Sequence, residues 1–376
     1  MQRPAWPVSV WIAAVLAAAV LSAFVTWLAI GYAHRRRLID QPGVRRSHAE
    51  PTPRGGGIGI VIATLVCACV PALLRPASSR LAAPGLIAAV AIVATVGWID
   101  DHRGLSARSR FAAHCLAAIA FLSPVIVPLV ALPSVVEQRF SVSELAAWAI
   151  VLAVVLAIVW FVNLHNFMDG IDGLLAAQAI FVFAALALLC AHAGEPHTGQ
   201  IAVFAAATIG FLPFNFPRAR IFMGDVGSGT LGLLTAVAVL WQMSAPHVAI
   251  TSGVVLCSAF VIDATCTLVS RMLRGRRWYS AHREHLYQWL ARSGFSHAGV
   301  VALYMGWNLV IVVPVVAWMN RAPELPMWMA SARTEWTTES GAAAAAAVYG
   351  LGVIVWLAGK RRCLNASRRR GRHAAA

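Results

Sequence analysis

Apolar runs long enough to cross a bilayer recur along the whole chain, and they constrain its fold more than any other feature. A helix needs roughly 20 apolar residues to span a hydrocarbon core about 30 Å thick. Of the 376 residues, 60% are hydrophobic and only 12% are charged, about half the charged share of an average soluble domain. The sequence therefore predicts an all-α, polytopic integral membrane protein.

We predict a bundle of about eleven transmembrane helices, which forms one integral membrane domain over residues 1–359. The first apolar run, Val8–Tyr32, is too long for a signal-peptide core and its arginines follow it, so we expect it to remain as a span. The basic residues 360–376 are predicted to form a disordered tail near anionic headgroups. The predicted spans are 8–32, 57–74, 81–98, 111–130, 145–164, 173–192, 200–214, 226–243, 248–270, 297–318 and 341–358.

The basic residues indicate an orientation. The net charge is +15, almost all of it from arginine, since Lys360 is the only lysine. In a soluble protein this charge would favour a nucleic-acid partner, but none is expected here, because most of the basic residues fall in alternate connecting segments and in the C-terminal tail. The positive-inside rule makes that side cytoplasmic, with the N-terminus outside and the C-terminus inside.

Aspartates gather on the same predicted side of the membrane. Asp263 alone lies within a predicted span, near its cytoplasmic end. Solubility requires no such distribution, so we expect an active site built from the cytoplasmic loops 33–56, 99–110, 163–172, 215–225 and 271–296. The other aspartates, all in these loops, are Asp40, Asp100, Asp101, Asp169, Asp172 and Asp225.

The adjacent carboxylates of Asp100 and Asp101 follow the third predicted span. Neighbouring carboxylates repel, so they need a divalent cation or a nearby arginine, for which Arg103, Arg108 and Arg110 are candidates. A solvated helix end is the alternative interpretation.

Polar residues recur at three-residue steps in the segment NLHNFMDGIDGL, residues 163–174. This spacing would align the side chains on roughly one face of a helix. A helix start capped by Asp172 is the alternative, but capping uses one carboxylate and leaves the others unexplained. We therefore favour a functional role for the four residues, which are Asn163, Asn166, Asp169 and Asp172.

Asp225 opens the eighth predicted span within the segment FNFPRARIFMGDVGSG, which also contains Asn215. Free N–H groups and the helix dipole make such a position suitable for a phosphate or a metal-bound phosphate. A glycine-containing turn with a capping aspartate is the alternative.

Cationic side chains occur in two of the predicted loops. His282, Arg283 and His285 lie in the fifth loop, and Arg45 and His48 lie in the first. Arginine binds phosphate through paired hydrogen bonds, although membrane anchoring or a basic linker would also explain these residues. Carboxylates suited to Mg²⁺ beside cations suited to phosphate indicate phosphoryl transfer at the membrane surface.

Four of these segments resemble, in order, motifs of the polyprenyl-phosphate N-acetylhexosamine-1-phosphate transferases, the superfamily of phospho-N-acetylmuramoyl-pentapeptide transferase. The resemblance covers most of the chain. It implies transfer of a sugar 1-phosphate from a UDP-sugar to undecaprenyl phosphate with release of UMP, using Mg²⁺ or Mn²⁺, at the cytoplasmic face of the bacterial inner membrane. The segments are DDHRGLS at 100–106, NLHNFMDGIDGL at 163–174, NFPRARIFMGDVGSG at 215–229 and HREHLYQ at 282–288.

The resemblance also implies a role for each matching residue. Asp100 and Asp101 include the base for the lipid phosphate or a group beside the metal, and Asp225 binds the metal together with Asp101. His282 and His285 orient the sugar or the pyrophosphate, and Asn215 lies near the diphosphate. The residues expected to line or support the nucleotide pocket are Asn163, Asn166, Asp169, Asp172 and Phe222, with Phe222 stacked on uracil. Direct attack and a covalent aspartyl intermediate both stay open.

The HREH pattern, the segment Asp40–His48 and the eleventh span resemble the branch that begins O-antigen or enterobacterial common antigen synthesis, and hence lipopolysaccharide. The sugar is then GlcNAc or a relative such as FucNAc or QuiNAc. The alternatives are phospho-N-acetylmuramoyl-pentapeptide transferase and, from another class, a membrane transporter, although a single acid within a span argues against transport. The expected partners are undecaprenyl phosphate, a UDP-linked N-acetylated amino sugar and membrane lipids, and a homodimer is left open.

Overall fold

The computed structural model describes residues 7–41, 50–69, 82–131, 143–245, 248–276, 282–321 and 330–374. These residues are almost entirely helical, with one antiparallel pair of two-residue strands, β1 (Ile39–Asp40) and β2 (Thr52–Pro53). The helices are α1 (Val8–Arg36), α2 (Ile58–Thr64), α3 (Ala82–Arg103), α4 (Ala107–Ala131), α5 (Glu144–Met168), α6 (Leu174–His192), α7 (Thr198–Asn215), α8 (Asp225–Met243), α9 (Ser252–Leu256), α10 (Ser258–Met272), α11 (Leu286–Arg292), α12 (His297–Trp307), α13 (Val313–Met319) and α14 (Ala330–Ala374). Short π-helical turns, Leu65–Cys69 and Asn308–Val312, extend α2 and join α12 to α13.

Nine helical stretches of the described chain are long and apolar enough to cross a membrane, in agreement with the predicted all-α polytopic fold. Two of the eleven predicted spans take another form. The second is represented by the shorter apolar helix Ile58–Cys69, and the ninth is divided into α9 and α10 by a break at Cys257. The count of eleven and the orientation of the termini therefore stay predictions.

The basic segment after Gly359 is helical as far as Ala374, not disordered as predicted. It continues α14, so it needs no new nucleation, and its alanines and arginines are good helix formers. Polar composition was the basis for the prediction of disorder, but it does not prevent an established helix from propagating.

Two of the predicted loops are largely helix ends. Helix α3 continues through Asp100 and Asp101 to Arg103, and α4 begins only a few residues later, at Ala107. Gly104, with φ of 68°, turns the chain between them. The predicted loop 163–172 likewise begins inside α5, which ends at Met168. Several site residues thus sit on rigid helix termini.

Helix α8 is the centre of the bundle, and nearly all of its residues are buried. It packs against α3, α5 and α6. Because lipid chains are as apolar as the helices, helices in a bilayer associate through close packing of small residues. Gly232 meets the backbone of α5 at Phe161 and Val162, and Gly227 meets the backbone of Gly57. A Cβ atom on Gly57 would lie only 2.2 Å from the Cα of Gly227, so the two chains pack at backbone distance.

The chain before α2 is hydrogen-bonded to the segment that leads into α8. The N–H groups of Gly56 and Gly57 donate to the carbonyls of Phe222 and Met223, each at 2.9 Å, and the Phe222 N–H donates to Pro53 at 2.8 Å. These bonds hold the end of the first loop beside the first turn of α8.

We expect Gly57→Ala to destabilise the protein by about 1–3 kcal/mol, since the added methyl group meets backbone that cannot move aside. The measurement is the unfolding temperature of the detergent-purified protein. Gly31→Ala is the matched control, because a Cβ atom there meets nothing within 4 Å. Equal unfolding temperatures for the two variants would contradict the close contact between Gly57 and Gly227.

Candidate active site

The ends of four helices meet at one place, which we call the aspartate cluster. It consists of Asp100 and Asp101 from the end of α3, Arg110 from the start of α4, Asn166 from the end of α5 and Asp225 from the start of α8. Three of the predicted segments, far apart in the sequence, therefore converge as expected.

Asp101 anchors the start of α8. Its carboxylate accepts the N–H of Asp225 at 3.0 Å and the N–H of Val226 at 3.2 Å, and it also accepts two bonds from Arg54, at 2.6 and 3.1 Å. Its side chain is only 1% exposed. The free N–H groups that the sequence assigned to a phosphate are thus capped by Asp101, and Asp101 has little surface left for a metal or for a proton on substrate.

Asp225 and Asp100 share one cationic partner, Arg110. Arg110 lies 2.9 Å from Asp100 Oδ2 and 3.5 Å from Asp225 Oδ2, so the two carboxylates are neighbours across one guanidinium group. The Asn166 amide donates to Asp225 at 2.8 Å and to Ser228 at 3.2 Å. The Asp225 side chain is 28% exposed, so it can reach a ligand that Asp101 cannot.

Asp169 and Asp172 lie beyond the end of α5, so the four polar residues do not share one helix face as predicted. Helix α5 ends at Met168, and Gly173, with φ of 75°, precedes α6 in a left-handed conformation that a continuous helix through Asp172 would not contain. Burial, and then the charges of Asp101 and Asp172, raise the pKa of Asp169 to about 7. Asp169 therefore faces the same acidic region as the cluster.

Asp172 and Asn215 connect loops. Asp172 Oδ2 accepts the N–H of Ala219 at 3.3 Å and lies 3.2 Å from Nδ1 of His297. The buried Asn215 amide accepts the N–H of Gly173 at 2.9 Å and donates to the Ile221 carbonyl at 3.1 Å. In this structure both side chains position the segments around the cluster.

Asn163 and Phe222 have the least direct connection with the cluster. The Asn163 amide donates to Val159 of its own helix at 2.7 Å. Phe222 is half-buried in the segment before α8, where its backbone bonds to the end of the first loop. Arg45 and His48 lie outside the described residues.

The histidines of the fifth predicted loop form a second group. The rings of His282 and His285 are 4.9 Å apart, and His285 stacks on Phe167 at 6.0 Å. Burial, followed by the neighbouring charges of His285 and Arg271, lowers the pKa of His282 to about 4, so its ring is neutral at physiological pH. Arg283, between them, accepts a bond at its carbonyl from Arg292.

Tyr287 connects the histidine group to the segment after α5. Its hydroxyl donates to the Phe167 carbonyl at 2.9 Å, and a Cβ atom on Gly170 would lie 2.2 Å from that hydroxyl. Close approach of Tyr287 thus explains the glycine of the first Asp-Gly pair. The ring of Tyr287 also stacks on His285 at 5.9 Å.

Asp263 is buried and accepts hydrogen bonds from several elements, whereas the sequence indicates only that it lies near the end of a span. Its carboxylate accepts the N–H groups of Leu286 and Tyr287, at 2.7 and 3.3 Å, so it caps α11 from another helix. It also accepts the Tyr304 hydroxyl at 2.6 Å and the Trp356 indole N–H at 3.0 Å. These bonds attach the histidine group to α10, α12 and α14.

Sequence reasoning missed several partners of the site. Arg54, Ser228 and His297 drew no functional interpretation, although Arg54 satisfies Asp101. A basic residue just before a glycine run, in a loop rich in arginine, carries no signal that separates it from its neighbours. Arg110 had been proposed as one possible partner of the aspartate pair, and it bonds Asp100.

The aspartate cluster fits a hard divalent cation only in part. Among the described residues, no three His, Cys, Asp or Glu side chains are grouped as metal ligands. Neighbouring carboxylates need a proton or a cation between them, and Mg²⁺ typically takes one or two carboxylates together with water and substrate phosphate. Asp225 is the most exposed carboxylate of the cluster and is the first candidate ligand. Asp100, whose oxygens already accept the Leu105 N–H and Arg110, is the second.

Comparison with known proteins gives the family. A family model described as Glycosyl transferase family 4 matches residues 83–243, which contain the whole aspartate cluster but not Arg54, the partner of Asp101. Decaprenyl-phosphate N-acetylglucosaminephosphotransferase of Mycobacterium leprae is 31% identical over 324 residues, covering 78% of this chain and 79% of that protein. A probable undecaprenyl-phosphate N-acetylglucosaminyl 1-phosphate transferase of Bacillus subtilis is 28% identical, covering 71% and 74%. Phospho-N-acetylmuramoyl-pentapeptide-transferase of Lacticaseibacillus paracasei is 33% identical over 208 residues, covering 50% and 61%.

The fold and the site define a multi-pass membrane enzyme whose acidic centre is built from helix ends. The chain belongs to the polyprenyl-phosphate N-acetylhexosamine-1-phosphate transferases of glycosyl transferase family 4, as its motifs predicted. Its assignment to the O-antigen or common-antigen branch stays a prediction.

We expect Asp101→Asn to lower stability by about 1.5–3 kcal/mol, because it weakens charge-assisted bonds to Arg54 and to the start of α8. The measurement is the unfolding temperature in detergent. Asp225→Asn is the control, since it changes a more exposed carboxylate that caps no helix. An equal shift in both variants would contradict the anchoring role of Asp101.

A second prediction concerns pH. As the pH falls below about 6.5, the unfolded chain protonates His282, whereas the native protein does so only near 4, so acid favours the unfolded state. We expect the unfolding temperature to fall less between about pH 7.5 and about pH 5 in His282→Asn than in wild type. His34→Asn, at the exposed end of α1, should keep the wild-type dependence. An unchanged slope in His282→Asn would refute the neutral ring.

Proposed function

We propose that this enzyme transfers an N-acetylhexosamine 1-phosphate, GlcNAc 1-phosphate in the first instance, from a UDP-sugar to a polyprenyl phosphate. The products are a lipid-linked sugar diphosphate and UMP. The names of the relatives support the sugar and the prenyl phosphate, since the Mycobacterium leprae and Bacillus subtilis proteins are named for both. Because one relative is named for decaprenyl phosphate and the other for undecaprenyl phosphate, we leave the chain length of the lipid open.

The observation that carries this proposal is that Arg110 contacts both Asp100 and Asp225. In the proposed reaction a lipid phosphate attacks the phosphate next to the sugar and displaces UMP. Negative charge must be held at both phosphates while the bond changes, and fixed cations and a metal ion serve that purpose. Arg110 supplies the fixed positive charge, and its side chain is 37% exposed, so it can contact a ligand.

We assign the Mg²⁺ ligands to Asp225 and Asp100 in place of the predicted pair Asp225 and Asp101. When bound, the ion would offset the charge of the diphosphate, with Mn²⁺ as the alternative. Asn166 orients the Asp225 carboxylate through its amide, and Asp101 fixes the backbone of Asp225. Asp225, the proposed metal ligand, is thereby held in place through both its side chain and its main chain.

The remaining roles concern the donor. Asp169 and Phe222 are proposed to line the nucleotide pocket, and His282 and His285 to orient the sugar or pyrophosphate. The neutral His282 ring can donate one hydrogen bond to a phosphate or sugar oxygen. The cytoplasmic position of the site, the bacterial inner membrane, the O-antigen or common-antigen pathway and a homodimer are kept as proposals from the sequence.

Phospho-N-acetylmuramoyl-pentapeptide transfer is the second candidate, because one relative carries that name at 33% identity over half of this chain. The two functions differ only in the donor. Purified enzyme given polyprenyl phosphate with UDP-GlcNAc or with UDP-N-acetylmuramoyl-pentapeptide, in separate reactions, would distinguish them. UMP released only from the second donor would overturn the preferred assignment.

We expect Asp225→Asn to reduce UMP release by at least about a hundredfold, because it removes a charge at the reacting phosphates. The measurement is UMP formed from a UDP-sugar and polyprenyl phosphate by the purified protein. Glu144→Gln is the matched control, since Glu144 is an exposed carboxylate at the opposite end of α5 from Asn166. Near-normal turnover of Asp225→Asn would exclude it from the chemistry.

We also expect chelation by excess EDTA to abolish UMP release and added Mg²⁺ or Mn²⁺ to restore it. The half-maximal Mg²⁺ concentration should rise in Asp100→Asn and stay unchanged in Glu144→Gln, because only the former removes a proposed ligand. Full activity in EDTA would refute the metal site but leave the family assignment intact.

A further inference from the structure

One histidine of the site belongs to none of the predicted loops. His297 is the first residue of α12, and the hydroxyl group of Ser296 caps that helix by accepting the Gly299 N–H at 3.0 Å. The His297 ring therefore projects from a fixed helix start, and 21% of the side chain is exposed. It reaches the segment between α5 and α6, which is 125 residues away in the sequence.

The partner of His297 is the carboxylate of Asp172. Nδ1 of His297 lies 3.2 Å from Asp172 Oδ2 and 3.3 Å from the backbone nitrogen of Asp172. One ring nitrogen cannot donate to the first and accept from the second at the same time, and a hydrogen bond to a carboxylate is roughly twice as strong as one between neutral groups. The proton therefore belongs on Nδ1, and the imidazole donates to Asp172.

The Asp172 carboxylate joins two segments that carry proposed nucleotide-binding residues. Its Oδ2 atom also accepts the N–H of Ala219 at 3.3 Å, three residues before Phe222. Asp172 itself follows Asp169 by three residues, and its charge acts on that buried carboxyl group. A displaced Asp172 would therefore loosen both segments at once.

The backbone beside Asp172 is held separately from its side chain. Asn215 accepts the Gly173 N–H at 2.9 Å. Among the described residues, no side chain other than that of His297 bonds the Asp172 carboxylate. Loss of the histidine would thus free the carboxylate and leave the backbone bond in place, so the segment would loosen without unfolding.

Helix α12 also connects this contact to the histidine group. Tyr304 lies about two helical turns after His297, and its hydroxyl group donates to Asp263 at 2.6 Å. Asp263 in turn caps α11, which begins directly after His285. One helix thus holds both the segment proposed to bind the nucleotide and the histidines proposed to orient the sugar or pyrophosphate.

We propose that His297 is a positioning residue for the donor. Through Asp172 it holds the segment 169–173 against the segment before α8, and it thereby sets the affinity for the nucleotide part of the donor. The role rests on the proposed transfer from a UDP-sugar, and it belongs to a residue outside the region 83–243 that the family model matches.

The test is the dissociation constant of UDP-GlcNAc and of UMP, measured by isothermal titration calorimetry on the full-length protein in detergent. We expect His297→Ala to bind both about fivefold more weakly, an effect in the range of one lost hydrogen bond. His297→Asn should bind like wild type, because its amide nitrogen can occupy the position of Nδ1. His297→Gln places its nitrogen nearer the position of Nε2 and should resemble His297→Ala. His192→Ala, at the exposed opposite end of α6, is the matched control and should bind like wild type.

A positioning role also predicts a kinetic pattern. In His297→Ala the KM for UDP-GlcNAc should rise, whereas kcat should stay within about twofold of wild type, because the aspartate cluster is untouched. The effect of His297→Ala on donor binding should disappear in an Asp172→Ala background, since the residue that transmits it is gone.

Three results would overturn the proposal. Unchanged donor affinity in His297→Ala would exclude His297 from donor binding. Equal losses in His297→Ala and His297→Asn would assign the effect to another part of the ring and not to the bond with Asp172. An equal effect of His297→Ala with and without Asp172 would show that the two residues act independently.

Hydrogen–deuterium exchange separates this role from the proposed reaction. The backbone amides of residues 169–173 should exchange faster in His297→Ala and at the wild-type rate in His297→Asn, whichever sugar the donor carries. Unchanged exchange in His297→Ala would refute the anchoring of the segment by itself. A wild-type protein that releases no UMP from either candidate donor would instead refute the proposed function.

Discussion

The buried carboxylate of Asp101 is the interaction on which the site depends. It fixes the first turn of α8 to the last turn of α3, and Arg54 compensates its charge. Adjacent residues of one helix end therefore have different tasks. Asp101 fixes the start of α8, whereas Asp100 bonds Arg110, which also lies 3.5 Å from Asp225. Two adjacent acids thus have different partners, and a chemical role for Asp100 belongs to the proposed reaction.

Asp263 makes the same kind of interaction beside the histidine group. It caps α11 from α10, as Asp101 caps α8 from α3, and its additional partners on α12 and α14 extend the same rigid unit. Capping from another helix satisfies N–H groups at a helix start that have no partner within their own helix. Two carboxylates thereby connect the cluster, the histidine group and the last helix.

The sequence predicted the class of fold and the convergence of the segments because both depend on composition and on motif order. Apolar runs determine which segments form spanning helices, and aspartates at the ends of those helices mark where chemistry is concentrated. The sequence did not reveal which side chains bond to each of these aspartates. Nothing in the spacing of Asp100 and Asp101 shows which carboxylate caps α8 and which bonds Arg110, since that depends on Arg54 and on the start of α8. The prediction that Asn163 to Asp172 share one helix face failed because Gly170 and Gly173 serve close contacts and a positive φ angle, which periodicity does not register.

Helix α14 has 45 residues, and at 1.5 Å per residue it measures about 68 Å, more than twice the thickness of the hydrocarbon core. A rod of that length cannot be contained by the bilayer, however it is tilted within the usual range. At least one end of the helix therefore extends beyond the hydrocarbon core, and the same continuous helix carries Trp356, which bonds Asp263 within the bundle.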